Sequence, residues 1–588
     1  MLNLTPRFDP TLPVPTLLQP IAKNSTTLAR LLAGRGVTDV ENLNTALSAM
    51  LPAQGLMGIE KAVVLLDNAI DNGQKILIVG DFDCDGATST ALMVRVLREM
   101  GANVDFLVPD RFKYGYGLTP EIVELGLSTY HPDVIVTVDN GISSHTGVQA
   151  AKDAGVTVII TDHHLTTKPV PSADAVVNPN QLGCKFASKY LVGVGVAFYV
   201  LGNLAKVRRQ ASKSTTQVSK YLDLVALGTV ADVGVLDKNN RILVHHGLNA
   251  IRAGHCCVGI LAILEQAGRQ ASDITAQDFG FIIAPRINAA GRMDNMRIGI
   301  ECLFTDNWGE AQRLAHQLDK LNVERRQVEQ HMRQQADAII TELEASPDTE
   351  KKRSIVLYRD DWHQGVIGIV AGRLKERHHL PAIVFAPADI NAVGEHDAIK
   401  GSARSIVDVH IRDAIEAVAE AHPDLISHFG GHAMAAGLTI EKRHFDAFCQ
   451  AFETIMTSQD DSVFQETLMS DGELAADEFS LDFVDTLNNL AIWGHGFAPP
   501  IFDNVFVIQD YRVLKDKHLK FWLSHPNVPF TIEAIWFNAE LDTVKLTQIN
   551  RSISSVHLLY ELDRNQYNQQ ISLQLQVKKA ALVNPSDA

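Results

Sequence analysis

At 588 residues, 46% hydrophobic and 21% charged, the chain is long enough for three or four domains of ordinary size. Its mean hydropathy of +0.02 and the lack of any apolar run near the ~20 residues of a membrane helix point away from a helical membrane protein. The net charge of −17 argues against a surface that tracks nucleic acid everywhere, which would be basic; a metal-neutralised acid cluster, or a positive channel in an acidic body, escapes that argument.

In chain order, residues 1–45 read as a helical arm, with short helices over 26–32 and 40–47. The first 18 residues are Pro-rich and interrupted, unlike the apolar core of a signal peptide. Cys84, Cys184, Cys256, Cys257, Cys302 and Cys449 form no CxxC pair, which suggests reduced thiols in the cytoplasm rather than a disulfide frame or zinc site.

From residue 46 to 300, short β-branched runs alternate with helical patterns, the signature of βαβ units and a parallel sheet. Lys75-Ile76-Leu77-Ile78-Val79-Gly80 runs straight into Asp81-Phe82-Asp83-Cys84-Asp85-Gly86. Carboxylates alternating at the end of a buried strand repel one another and are costly to desolvate. A divalent cation removes that cost, and oxygen donors suit Mg²⁺ or Mn²⁺. An isolated Asp-rich turn closed by glycine would carry nothing, but this one has company. The run over 134–138 ends in Asp139-Asn140-Gly141, and that over 156–161 in Asp162-His163-His164. Leu227-Gly228-Thr229-Val230-Ala231-Asp232 reads as a fourth apolar strand closing on an acid. Ligands gather at the carboxyl ends of parallel strands, so these side chains are expected along one rim, a set suited to two metal ions. Histidine doublets recur at 245–246 and 378–379; only 163–164 follows a strand and an aspartate.

Lys206, Arg208, Arg209, Lys213 and Lys220 form an acid-free basic stretch, either a DNA track or a solvated face. Over 301–350 a connecting helix is expected, about Trp308 to Leu343, because Leu314, Leu318, Leu321, Val328, Met332, Ala336 and Ile339 recur at helical spacing. A second α/β domain spans 351–462, with strands at 354–358 and 382–385. Its Gly-rich segment 429–437 lets a ligand approach the backbone, unless the glycines serve packing alone. Residues 463–588 carry five short strands, a small antiparallel barrel, of which the OB-fold is the version that binds single strands. Phe521, Trp522, Trp536 and Phe537 are candidates to stack on bases, with half of them expected in the core. No GxxxxGK[ST], HExxH or serine-elbow pattern occurs, and Gly193-Val194-Gly195 reads as helix packing, not a dinucleotide fingerprint.

DFDCDG, VDNG, DHH and LGTVAD, followed by Pro285–Arg292 (PRINAAGR), Trp362–Gly368 (WHQGVIG), Ser402–Ser405 (SARS) and Gly430-Gly431-His432, resemble the successive motifs of the DHH/DHHA1 phosphoesterases. Their order and spacing are most similar to the single-stranded-DNA-specific exonuclease branch. The resemblance implies an α/β fold: a parallel-sheet DHH domain, joined by a long helix to a smaller α/β DHHA1 domain, plus a C-terminal all-β OB-fold. It also implies a hydrolase, a processive 5′→3′ exonuclease releasing 5′-mononucleotides with two Mn²⁺ or Mg²⁺ ions. Such an enzyme would be a bacterial, cytoplasmic monomer serving recombination, mismatch repair and base-excision repair. Its partners would be single-stranded DNA, single-strand-binding protein and a RecQ-type helicase, with no membrane.

Carried over residue by residue, the resemblance makes Asp139 the bridge between ions, with Asp83 on one and Asp85, His163 and Asp232 on the other. Asp81 belongs to the motif. His164 would face the scissile phosphate or orient water. Arg286, Arg404 and His432 would grip phosphates beside Gly430 and Gly431, arginine with two parallel hydrogen bonds. Arg111, Tyr114 and Tyr116, on the loop RFKYGYG, would contact the strand. Cys84 replaces the family's frequent alanine and is expected to alternate away from the carboxylates. Two rival readings are a phosphodiesterase for short oligonucleotides or cyclic dinucleotides, which needs no C-terminal domain, and an inert DNA-binding scaffold, which the intact acids oppose.

Overall fold

A computed structural model describes the chain apart from residues 1, 110–113, 115–116, 167–168, 345–351, 389–396, 516, 540–548, 550–553, 568–569 and 584–588. The described strands are β1 (Leu4–Pro6), β2 (Lys75–Gly80), β3 (Asn103–Leu107), β4 (Val134–Val138), β5 (Thr157–Thr161), β6 (Ala175–Val177), β7 (Ile355–Tyr358), β8 (Ala382–Pro387), β9 (Ala398–Arg404), β10 (His428–Gly431), β11 (Ala435–Glu441), β12 (Leu468–Ser470), β13 (Phe502–Leu514), β14 (His518–Ser524), β15 (Ile532–Trp536), β16 (Ser555–Tyr567) and β17 (Gln570–Val583). They fall into two compact units, one of Met1–Asn288, Met296–His316 and Thr467–Ala588, the other of Ala289–Asn295 and Gln317–Glu466. No single helix among the described residues is long and apolar enough to cross a membrane.

In the first unit a parallel sheet runs β3-β2-β4-β5-β6. Val, Ile and Leu side chains of β2, β4 and β5 are buried on both faces, as helix-covered parallel strands require. From β2 the chain crosses to β3 on one side and later to β4 on the other. The crevice beyond the carboxyl ends of β2 and β4 is therefore the topological switch point, where such sheets bind ligands.

The segment before Asp232 departs from expectation. Leu222–Ala231 is a helix, not a strand, and eight of its ten residues are buried. A short run that is apolar all round fits a buried helix as well as a buried strand, and periodicity cannot separate them. Asp232 is the C-cap of that helix.

The arm is more tightly integrated than its sequence suggests. Thr26–Ala33 is a helix capped by Ser25, but Val40–Leu43 and Leu47–Ala49 are separate 3₁₀ turns. Leu31 is buried in the core of the C-terminal barrel, and β1 pairs in parallel with β12. Arg35 donates to both oxygens of Asp471, at 2.8 Å each, and to the carbonyls of Ala498 and Pro499. The barrel closes in the order β13-β14-β15-β17-β16. It is not wholly antiparallel, since β15 and β17 pair in parallel. Phe502, Phe506, Phe521 and Tyr560 fill it.

The second unit has a sheet ordered β10-β11-β9-β8-β7, with only β7 and β8 parallel. The long helix is Trp308–Glu344. Its Met332, Ala336 and Ile340 pack with Leu357, Val370 and Val384 in this unit's core.

Candidate metal centre

Strand β2 stops at Gly80, and the acids that follow do not alternate along a strand. Asp83 is the N-cap of the Cys84–Glu99 helix, its Oδ1 accepting the Gly86 N–H at 3.0 Å. Asp85 sits in that helix's first turn, where the dipole favours a carboxylate. Cys84 is buried rather than turned away, and its N–H donates to Asn288 Oδ1 at 2.8 Å. After β4, Asp139 adopts φ +61°, a left-handed conformation of the kind that concentrates at functional sites. Asn140 braces it by donating to the carbonyls of Val79 and Val138.

After β5, Asp162 organises the histidines. It is buried, and accepts the N–H groups of Ile142 (2.9 Å), His163 (2.7 Å) and His164 (3.0 Å). Its Oδ1 also lies 2.7 Å from His164 Nδ1. His163 Nε2 thereby stands 3.1 Å from Asp139, 3.7 Å from Asp232 and 3.9 Å from Asp85. Among the described residues three overlapping donor sets each bring their ligand atoms within 4.8 Å of one another: Asp81 with Asp83 and Asp139, Asp85 with His163 and Asp232, and Asp139 with His163 and His164. Carboxylates with imidazole suit Mn²⁺ or Mg²⁺.

The electrostatics of these acids call for cations. Burial, then the charge of Asp83, pushes the Asp85 carboxyl up to about 7, against two backbone N–H groups that oppose the rise. Burial and neighbouring aspartates likewise drive Asp139 and Asp232 well above the ordinary carboxylate range. For Asp162 burial pulls upward, but its bond to His164 wins and holds it low. In His164 burial pulls downward, yet Asp162 and the surrounding acids carry the ring up to about 9.

The chain matches the DHH family N-terminal domain over residues 75–229, the DHHA1 domain over 351–458 and the RecJ OB domain over 470–579. It is 44% identical over 575 residues to the single-stranded-DNA-specific exonuclease RecJ of Escherichia coli (strain K12), covering 96% of each chain. The Haemophilus influenzae RecJ is also 44% identical, over 94% of this chain and 96% of the relative. The chain belongs to the RecJ family. Among solved structures, Thermus thermophilus RecJ in complex with Mn²⁺ has a TM-score of 0.77 at 29% identity, covering 94% of this chain and 76% of that one. The same protein with Mg²⁺ gives 0.71 at 28% identity, covering 94% and 74%. Those ions agree with the donor chemistry above, and this RecJ-family chain is a metal-dependent hydrolase.

The other candidates from the sequence fall elsewhere. In the first unit Arg286 is buried and donates to the Ile282 carbonyl. Tyr114 packs partly buried against the core beside the parallel sheet; Arg111 and Tyr116 lie outside the described residues. In the second unit Arg404 ends β9, donating to Ser402 Oγ and the Ala403 carbonyl. Burial lowers its pKa, and it pairs with no carboxylate among the described residues. Gly430, Gly431 and His432 lie exposed on the β10–β11 hairpin. Gly431 is needed there, having φ +145° and space for no Cβ, which would stand 2.5 Å from the Ala435 oxygen.

Three of the five cations in the basic stretch are paired with acids. Arg208 and Lys213 pair with Asp67 and Asp71, and Lys220 with Glu99. Sequence reasoning missed Asp162 as the organiser of the histidines, and Gly193, whose N–H meets Asp85 at 2.6 Å. The first could be read from its place in the motif; the second has no local signal beyond a glycine at a helix start.

Proposed function

We propose that this chain is a single-stranded-DNA-specific 5′→3′ exonuclease that releases 5′-mononucleotides by two-metal-ion hydrolysis. The observation that carries this is His163 Nε2 within 3.9 Å of three carboxylates at the switch point, in a chain that continues into an OB barrel. Asp139, shared by two of the three donor sets, would bridge the ions, with Asp81 and Asp83 on one side and Asp85, His163 and Asp232 on the other. Two such ions stabilise charge on the attacking and leaving oxygens and generate hydroxide near neutral pH. His164, its ring fixed by Asp162, would face the scissile phosphate. Arg286 and Arg404 would each take a phosphate of the strand, Arg404 being a half-buried cation without a paired acid among the described residues. Gly430, Gly431 and His432 would add backbone and imidazole contacts.

As the sequence motifs lead one to expect, the enzyme would act as a cytoplasmic monomer in recombination, mismatch and base-excision repair, with single-strand-binding protein and a RecQ-type helicase. The test is digestion of long single-stranded DNA labelled at either end, with Mn²⁺ and with chelator. Immediate metal-dependent loss of the 5′ label as mononucleotide, with duplex spared, is expected. Activity confined to dinucleotides would replace this reading with a short-oligonucleotide phosphodiesterase, and binding without cutting would replace it with a scaffold.

A further inference from the structure

The helix Gly193–Gln210 begins against two buried acids of the centre, Asp85 and Asp139. Its first N–H, from Gly193, donates to Asp85 Oδ2 at 2.6 Å, and its second, from Val194, donates to Asp85 Oδ1 at 2.8 Å. The other side of Gly193 faces Asp139. A Cβ at 193 would stand 2.6 Å from Asp139 Cβ and 2.8 Å from its Oδ1, closer than side chains approach. Gly193 does not have a left-handed backbone, so what the position requires is the missing side chain. Gly228 presses from another helix in the same way, where a Cβ would meet Thr88 Oγ1 at 2.4 Å and Asp85 Oδ1 at 2.9 Å.

We propose that Gly193 is a positioning residue that gauges the separation of Asp85 and Asp139. Its N–H fixes one carboxylate, and its bare Cα lets the other close down beside it. Asp139 is shared by two donor sets and Asp85 lies in the third, so their spacing fixes where the bridging carboxylate stands relative to the ion that Asp85 would hold. This inference rests on reading Asp85 and Asp139 as metal ligands. It predicts that a methyl group at 193 displaces Asp139 and weakens metal binding by about 10- to 100-fold, the usual effect of disturbing a ligand's supporting shell.

The experiment measures Mn²⁺ affinity, from the electron-paramagnetic signal of unbound Mn²⁺, on the full chain and three variants. Gly193→Ala should bind weakly, with a low rate at limiting Mn²⁺ that excess Mn²⁺ restores. Gly202→Ala, on the same helix with open space for a Cβ, should bind like the parent. Asp85→Asn separates the two levels of the argument. If it binds Mn²⁺ like the parent, the ligand reading is wrong; if it binds weakly while Gly193→Ala binds normally, only the positioning role is overturned. Should Gly193→Ala fold poorly, Asp139→Gly removes the colliding Cβ at a φ that glycine accepts. In that background Gly193→Ala should leave the thermal transition unchanged, and a further loss of stability there would also overturn the inference.

Discussion

Raising the pH without divalent metal is expected to loosen the catalytic unit, and Mn²⁺ is expected to reverse the effect. Burial and Asp83 lift the Asp85 carboxyl to about 7, and Asp139 and Asp232 move in the same direction. An unfolded aspartate titrates near 4, so between about pH 4 and pH 7 the folded chain holds protons that the unfolded chain has lost. Stability then falls as pH rises through that window, by about 1.4 kcal/mol per unit for each such group. For Asp85 alone, a rise of about three units corresponds to about 4 kcal/mol. Metal takes the deprotonated ligands, so Mn²⁺ should expel a proton from Asp85 at pH 6 and release fewer protons in all at pH 8.5. Calorimetric titration in two buffers of different ionisation enthalpy counts those protons, and thermal melts with and without Mn²⁺ follow stability. At least one proton released at pH 6, with a Mn²⁺ stabilisation that grows toward pH 8, is expected. Metal-free stability that is flat from pH 5 to pH 8, with no proton release, would refute the argument that burial and mutual repulsion raise these acids.

Asp139→Ala should abolish hydrolysis while leaving binding of single-stranded DNA measurable by fluorescence anisotropy; normal cutting would remove Asp139 from the bridging role. Arg35→Met removes the two-pronged partner of Asp471, both side chains being 2% exposed, leaves only Arg7 beside it at 3.4 Å, and should cost about 1.5–3 kcal/mol. Fluorescence of Trp493, whose ring lies 5.1 Å from the Arg35 guanidinium, should report the earlier urea transition. Trp522 points outward from β14 and Phe537 is exposed, so replacing either with alanine should weaken single-strand binding by about 1–3 kcal/mol without lowering the melting temperature. Phe521→Ala should do the opposite, since Phe521 is fully buried in the barrel and the loss of such a ring costs about 3–5 kcal/mol of stability.

What could be read from the sequence was what is local. Strands β2, β4 and β5 announce themselves as β-branched runs, and the acids after them follow from where parallel sheets bind ligands. The 37-residue helix Trp308–Glu344 was legible because its apolar spacing persists over many turns. Leu222–Ala231 was misread because a helix buried on every side loses the periodicity that would identify it. The turn at Asp83 was misread because alternation in sequence mimics a strand where the chain in fact caps a helix. The pairing of Arg208 and Lys213 could not be read from the sequence, because Asp67 and Asp71 lie far away in the chain. Gly193 was assigned to packing for the same reason, since its neighbour Asp139 is a tertiary contact.

The union of arm and barrel has a consequence for biosynthesis. Arg35 and Asp471 are 436 residues apart, so at ordinary elongation rates the arm emerges about 20 to 90 s before its counter-ion. During that interval Leu31 and Arg35 have no barrel to enter, and the nascent arm is an exposed, sticky segment that a chaperone could shield. A polypeptide cut short anywhere before Asp471 keeps that exposure permanently, because neither the counter-ion nor the barrel core that covers Leu31 is ever made.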